Sequence, residues 1–265
     1  MDNPCGTHIF TRMDIDTDIA IVGGGLNGPL LALALAQQGL RVTVIDAQDA
    51  AMRADDAFDG RSYAVALTSQ RLLAGVGLWE QLAPNAQPML EIKVSDGRAG
   101  QCPSPFFMHF DHAEIEEGPI GYMVQDRFLR GALLAAMDEQ ANIAHVSGVR
   151  VTAQSAVSGA MVLTLDNGAE VCATLVVGAD GRASDTATRA GINRVAWSYN
   201  QTALVCAIAH EHPHNGIAHQ FFMPDGPLAI LPLPGNVSNI VWSETAENAA
   251  AFNALCDADY LDMLR

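Results

Sequence analysis

The stretch DIAIVGGGLNGPLLALALAQQGLRVTVIDAQ, residues 18–48, restricts the fold of this chain more than any other. An apolar run over 18–22 predicts a buried strand, the spacing over 26–38 a helix stopped by Gly39, and 41–45 a second strand. Together they make a βαβ unit, which implies a parallel sheet. Gly23, Gly25 and Gly28 stand between strand and helix as GxGxxG, and Asp46 ends the second strand. Each position has a purpose: the first glycine permits the tight turn, the second admits a pyrophosphate to the backbone, and the third lets helix and strand pack closely. The helix start offers unpaired N–H groups to phosphate, and Pro29 falls where a missing N–H costs little. Asp46 would accept hydrogen bonds from ribose hydroxyls. The pattern predicts a dinucleotide, against glycines that serve only a turn, and does not separate FAD from NAD.

Downstream, periodicity predicts a helix over 69–82, ended by the prolines of APNAQP. MLEIKVSDGRAG and PFFMHF read as a strand pair turning at Asp96-Gly97, and the spacing of Phe128, Leu129, Ala132, Leu133 and Met137 predicts a helix over 127–140. Short strands follow, with turns at Ser158-Gly159 and Asn167-Gly168. QTALVCAIAH, AHQFFMP, LAILPLP and VSNIVWS read as antiparallel strands, and 244–265 as helix. The expectation is an α/β fold of two interleaved lobes, with 1–16 a ragged terminus. A nucleotide-binding lobe takes 17–88 and 119–194, and a sheet-rich substrate lobe takes 89–118 and 195–265.

The 265 residues are 49% hydrophobic, ample for a sizeable core, and carry 14 basic against 30 acidic residues, a net charge of -16. Such a surface repels phosphate backbones, so no nucleic acid partner is expected. The first residues hold Asp2, Asp14 and Asp16 and lack the apolar stretch of a signal peptide, and no window approaches the ~20 apolar residues of a membrane span. A cytoplasmic location is the expectation. Cys5, Cys102, Cys172, Cys206 and Cys256 form no CxxC pair and read as buried free thiols.

Three further stretches bear on the nucleotide: FDGRSYAVALTSQRLL at 58–73, GYMVQDRFLRGALL at 121–134 and LVVGADGRASDTATRAGI at 175–192. In the last, a strand runs into Gly178-Ala179-Asp180-Gly181, placing a carboxylate and a flexible backbone where open α/β sheets bind ligands. With QFFMPDGPLAILPLP at 220–234, the chain resembles the FAD-dependent aromatic hydroxylases over 18–243, and among them the ubiquinone-biosynthesis 2-polyprenylphenol hydroxylases. The resemblance implies a Rossmann-like FAD-binding domain of the glutathione-reductase-like, p-hydroxybenzoate-hydroxylase type, interleaved with an antiparallel-sheet substrate domain. It implies that Gly23, Gly25 and Gly28 hold the FAD pyrophosphate and Asp46 the adenosine ribose. Arg61 and Arg127 would reach the flavin side or the phosphates, and Asp180 and Gly181 would touch FAD and the reduced nicotinamide. Phe221, Phe222 and Leu231 would wall the cavity of the aromatic substrate.

The implied chemistry is ring hydroxylation of a polyprenylphenol: NADPH or NADH reduces FAD, oxygen adds to give a flavin hydroperoxide, and its distal oxygen passes to the ring. No side chain reads as a general base, so no catalytic residue is assigned. The implied setting is a ubiquinone-biosynthesis complex or a peripheral contact with the inner membrane. Members of the family continue to a Gly-Asp motif that holds the flavin, whereas no glycine here is followed by Asp. The resemblance therefore also implies a C-terminally truncated chain without the last FAD-binding segment, either a fragment or a natural short form, and a non-catalytic flavin- or prenylquinone-binding subunit is the other reading. A prenyl reductase or halogenase of the same fold is a further alternative, although Trp79, Trp197 and Trp242 make no Trp-rich motif. An NAD-dependent dehydrogenase would need a second Rossmann half where antiparallel strands follow instead.

Plainer readings stand beside these. Arg61 and Arg127 serve equally as surface arginines, Asp180-Gly181 as a turn, and Phe106, Phe107, Phe221 and Phe222 as core. His210, His212, His214 and His219 read as a solvated loop around Pro213 and Gly216 rather than a metal set, since only Glu211 is near. Asp111-His112 and the acidic run 114–117 read as a charged edge.

Overall fold

A computed structural model describes residues 16–98, 104–115 and 117–264; Cys5, Cys102, the start of the predicted ragged terminus and Glu116 of the acidic run lie outside them. In chain order the elements are β1 (Thr17–Val22), α1 (Asn27–Ala36), β2 (Val42–Asp46), α2 (Ala50–Arg53), β3 (Ser62–Ala66), α3 (Leu67–Gly75), α4 (Trp79–Leu82), β4 (Ala86–Met89), β5 (Glu91–Asp96), β6 (Phe107–Asp111), β7 (Gly121–Gln125) and α5 (Asp126–Asp138). Then come β8 (Ile143–Ser147), β9 (Val151–Val157), β10 (Ala160–Leu165), β11 (Glu170–Gly178), α6 (Asp185–Arg189), β12 (Gln201–Ala209), β13 (Ile217–Met223), β14 (Gly226–Leu233), β15 (Val237–Thr245), α7 (Ala246–Asn253) and α8 (Asp257–Leu264). Two units interleave along the chain, but at other bounds than expected: 54–88 and 119–132, assigned above to the nucleotide-binding lobe, fall in the second unit. One unit comprises the described residues up to Arg53 with Leu133–Asn193, and the other Ala54–Ala132 with the described residues from Arg194 onward.

The first unit is built on one sheet in the order β8-β2-β1-β11-β10-β9. β8, β2, β1 and β11 run parallel, as the βαβ reading requires, and β11, β10 and β9 then form antiparallel hairpins through the two predicted glycine turns. All five residues of β2 are buried, the signature of a strand covered on both faces. A core of Ala20, Val22, Ile45, Val151, Leu163, Leu165 and Ala173 lies against the sheet, at roughly 25 cal/mol per Å² of apolar surface removed from water. α1 ends where Gly39 takes a φ of +83°, a left-handed value that costs glycine little.

The second unit holds a sheet in the order β12-β15-β14-β13-β5-β6 and a smaller one, β3-β7-β4. Met89, Met123, Ala218 and Leu233 form its core, with Phe58, Ile92 and Leu231 packed against them. Several expectations change here. The four late strands are antiparallel among themselves, but β13 pairs with β5 in parallel, because alternation marks a half-buried strand without fixing its partner's direction. The helix expected over 69–82 breaks at Gly77, whose φ of +83° ends α3 before α4 begins. The segment carrying Pro88 is a strand, tolerated because β4 lies at a sheet edge beside β7. The last stretch is two helices, the first capped by Thr245, whose hydroxyl accepts from Asn248 N at 3.2 Å. Phe106 and Phe107 are 88% and 54% exposed rather than core, because β6 is the outermost strand, and Cys256 is likewise exposed.

The histidine loop is held by hydrogen bonds. His210 joins Ser238 Oγ at 3.0 Å and His212 O at 2.6 Å, while His214 joins Leu233 O at 2.8 Å and accepts from Gly216 N at 3.0 Å. Asp111 accepts from Ala113 N at 2.9 Å, a turn-capping contact at the predicted charged edge.

Candidate functional site

In the first unit the strand ends of β1, β2 and β11 surround a cleft of about 920 Å³, within the range of small-molecule and cofactor sites. Gly23, Gly25, Asp46, Asp180 and Gly181 all line it, so five of the predicted residues converge. Gly28 stands behind the loop.

Each glycine of the loop meets a different constraint. Gly23 takes a φ of +116°, and a Cβ there would run into the Ala179 carbonyl and Asp180 N. The turn after β1 is thereby wedged against the turn after β11, and Gly23 N donates to Ile45 O at 2.8 Å while Ala179 N donates to Val22 O at 2.7 Å. A Cβ on Gly28 would meet Gly23 O, which is the close packing of helix on turn. Nothing lies within 4 Å of a Cβ built on Gly25. This open space lies where a phosphate would approach the backbone at the start of α1, so the loop fits a pyrophosphate.

Two residues escaped the sequence reading. A Cβ on Gly24 would collide with the carboxylate of Asp46. That carboxylate is almost fully buried and is gripped by Arg53, Nε to Oδ2 at 2.8 Å and Nη2 to Oδ1 at 3.3 Å, with Gln48 N donating to Oδ1 at 3.1 Å. Arg53 sits on α2, whose four residues carry no helical period to reveal it. Oδ1 accepts two of these bonds and Oδ2 only one, so Oδ2 retains an acceptor site for a ribose hydroxyl on an Asp46 already set in place.

Asp180 is spent mostly on its own loop. Its Oδ1 accepts from Ser184 Oγ and its Oδ2 from Thr186 N at 3.0 Å and Thr186 Oγ1 at 2.9 Å, while Ser184 Oγ caps α6 through Ala187 N at 3.0 Å. Burial pushes this carboxyl up, but the bonds from Ser184 and Thr186 outweigh it and hold the group below the usual carboxylate range. The carboxylate fixes the shape of the turn, and Gly181, at φ +83° with open space beside it, presents bare backbone to the cleft.

Arg61 and Arg127 belong to the second unit, where the turn before β3 meets the start of α5. Arg61 donates to Asp59 at 2.7 Å and to Asp126 at 3.3 Å, yet 57% of its side chain stays exposed. Asp126, buried, also accepts from Tyr63 Oη at 2.8 Å and Arg130 Nε at 2.9 Å. Burial, and then the neighbouring Asp126, push the Tyr63 phenol up to about 12. Asn239 fixes the same turn from the sheet, donating to Gly60 O at 2.7 Å and Cys206 O at 2.9 Å. Arg127 donates to Gln125 at 2.9 Å and Asp56 O at 3.2 Å and lies over the rings of Phe58 and Phe128, at 5.5 and 4.7 Å. Both arginines are therefore built features rather than loose surface charges.

The three residues expected to wall the substrate do not share a face. Register places Phe221 opposite Leu228 and Phe222 opposite Pro227, so alternation puts Phe222 and Leu231 on one face and Phe221 on the other. Phe221 instead stacks on His219, with ring centroids 6.1 Å apart and planes at 3°. Burial, with Lys93 adding to it, holds the His219 ring below its usual pKa.

Comparison with known proteins agrees with this geometry. The chain is 44% identical over 255 residues to ubiquinone hydroxylase UbiL of Rhodospirillum rubrum, covering 96% of this chain and 58% of that protein. It is 35% identical over 231 residues to 3-demethoxyubiquinol 3-hydroxylase of Escherichia coli, covering 86% and 58%. The chain thus spans 58% of the length of each of these relatives. Among solved structures, PqsL, a probable FAD-dependent monooxygenase from Pseudomonas aeruginosa, superposes with a TM-score of 0.73 at 21% identity, covering 89% of this chain and 62% of PqsL. The p-nitrophenol 4-monooxygenase PnpA of Pseudomonas putida gives 0.74 at 16% identity, covering 95% and 62%. These two likenesses speak for the fold. The model of the FAD binding domain matches residues 16–247, and with the glycine cradle, the acid after β2 and the braced turn after β11 in place, the chain belongs to this family of FAD-binding proteins.

Proposed function

We propose that this chain is the FAD- and substrate-binding portion of a flavin-dependent monooxygenase that hydroxylates the ring of a polyprenylphenol in ubiquinone biosynthesis. The observation that carries the reading is the cleft at the ends of β1, β2 and β11, with its open Gly25, in a chain 44% identical to a ubiquinone hydroxylase. When bound, FAD supplies the redox chemistry, with electrons from NADPH or NADH and molecular oxygen as the second substrate. The chain's own residues bind and orient. Gly23, Gly25 and Gly28 shape the pyrophosphate berth, Asp46 takes the ribose, and Asp180 and Gly181 keep the facing turn open. Arg61 and Arg127, locked by Asp59, Asp126 and Gln125, offer fixed positive charge to the cofactor. Phe222 and Leu231 wall the ring of the substrate, and no side chain of the chain is assigned a proton transfer.

The proposed setting is the cytoplasmic side of the inner membrane, by peripheral contact or within a biosynthetic complex. No helix among the described residues is long and apolar enough to cross a membrane. The test is a visible spectrum of the purified protein titrated with FAD, then anaerobic NADPH, then aerobic turnover with a polyprenylphenol. The expected result is a bound flavin that bleaches and a product one oxygen heavier. A protein that binds FAD but forms peroxide at the same rate with and without every phenol offered would refute the hydroxylase reading.

A further inference from the structure

The outer half of the large sheet in the second unit has two chemically unlike faces. Alternation along β5 and β6 puts Glu91, Lys93 and His109 on one face, where Glu91 accepts from Lys93 at 3.0 Å and from His109 at 2.8 Å. The opposite face is apolar. The registers Ile92 to Phe110 and Val94 to Met108, with β13 alongside β5, bring Ile92, Val94, Met108, Phe110 and Phe222 together there. Only Asp96, at the very end of β5, brings a charge to this strip.

This strip is apolar and yet open. Met108, Phe110 and Phe222 are 58%, 50% and 54% exposed, and a groove of about 330 Å³ runs between Val94, Met108 and Phe222. Contiguous exposed apolar surface of this kind marks a binding site in soluble proteins. Following the registers, the same face continues through Gln220 and the buried Ala229 to the half-buried Leu231, where the strip meets the core. From β14 to β6 is three inter-strand spacings, about 14 Å.

We propose that this strip is the berth of the isoprenoid tail of the phenol substrate. The inference rests on the hydroxylase reading, and adds to it where the tail lies: ring at Leu231, tail across Phe222 and Val94 and out over Met108 and Phe110. Three observations select this occupant. The strip is continuous with the face on which the ring is placed, so the tail of a molecule held there has the strip within reach. Apart from Asp96 at the end of β5, the ionic groups of these strands lie on the opposite face, so the length of the strip offers a charged ligand no partner. β6 is the last strand of its sheet, and Phe107–Asp111 is almost wholly exposed, so the berth is open-ended and sets no limit on tail length.

The experiment compares a bare phenol with the same phenol bearing a three-isoprene tail. Each is titrated calorimetrically into the purified protein and into the variants Met108→Ser, Phe110→Ser and Phe110→Leu, with hydroxylation followed in parallel. All three substitutions are at exposed positions, and thermal melts establish that the variants fold. The readout is the ratio of the two affinities. The wild type is expected to favour the tailed phenol strongly; each serine variant cuts that ratio about tenfold, as expected for losing much of one apolar side-chain contact, and Phe110→Leu largely restores it.

A ratio unchanged in both serine variants overturns the proposal. So does a ratio that stays constant while the variants shift the sedimentation coefficient, since the strip is then a face for a second copy of the chain. The two readings fail separately. If no phenol is hydroxylated but the ratio still falls in the variants, the hydroxylase reading is lost and the tail berth stands; if both phenols are hydroxylated with equal affinity, the berth is lost and the hydroxylase reading stands.

Discussion

Gly24 and Gly25 are neighbours in one turn, and the structure predicts opposite consequences for adding a methyl group to each. At Gly25 the new Cβ meets nothing within 4 Å, and the residue does not take a left-handed φ. Gly25→Ala should therefore leave the folded chain unstrained and, by stiffening the unfolded chain, stabilise it by about 0.4–1 kcal/mol. The space it fills is where the pyrophosphate is placed, so FAD should lose at least one charge-assisted N–H bond, about 1.5–3 kcal/mol, or roughly tenfold to hundredfold in Kd. At Gly24 the Cβ strikes the Asp46 carboxylate, which Arg53 and Gln48 hold in place and which cannot swing aside. Gly24→Ala should cost about 2–3 kcal/mol, typical of overpacking a buried site. Urea denaturation without flavin measures the stabilities, and titration of flavin fluorescence measures the affinities. A Gly25→Ala protein that binds FAD as tightly as wild type would refute the placement of the pyrophosphate, and a Gly24→Ala protein as stable as wild type would refute the bracing of Asp46.

Arg53→Met should destabilise the chain by about 3 kcal/mol in urea melts, because it strands a buried carboxylate, and adding Asp46→Asn should recover at least half of the loss. Asp126→Asn removes the shared acceptor of Arg61, Tyr63 and Arg130; stability should fall by about 2–3 kcal/mol, and Tyr63, raised to about 12 by burial and then by Asp126, should ionise at lower pH in an ultraviolet titration. The Asp180 carboxyl is held below its ordinary range despite its burial, so its contribution is complete above the unfolded carboxyl pKa of about 3.9 and disappears as pH falls through the lower folded value. Thermal melts from pH 6 down to pH 3 should show wild type losing stability more steeply at the acid end than Asp180→Asn.

The fold was legible wherever neighbours in sequence are also partners in space. The βαβ unit and the hairpins at Gly159 and Gly168 depend on local period and turn chemistry and stand as read, and β5 and β6 pair antiparallel as expected. Partnership over long separations was not legible. Nothing in AHQFFMP indicates that the free edge of β13 would pair with a strand formed more than a hundred residues earlier, in parallel. Pro88 sits in a strand for the same kind of reason: proline is barred from central strands, and β4 is an edge, which only topology shows.

The same division runs through the candidate site. Its backbone features were readable because each is a constraint on φ or on close approach, and only glycine meets such a constraint at Gly23 and Gly28. Its side-chain features were not, since the residues that set Asp46, Arg61 and Asp180 are a lone arginine on one short turn of helix, an aspartate sixty-five residues away, and a serine and threonine that read as ordinary helix-start residues. Phe221 and Phe222 are adjacent in a strand and so take opposite faces, and the period of two decides which of them accompanies Leu231 once β14 is paired. That choice has consequences beyond one residue: placing Phe222 with Leu231 joins the ring position to the apolar strip over Val94, Met108 and Phe110, charged only at Asp96, whereas placing Phe221 there would have led to the face of Glu91, Lys93 and His109, where a hydrocarbon tail would have to displace water from charged groups.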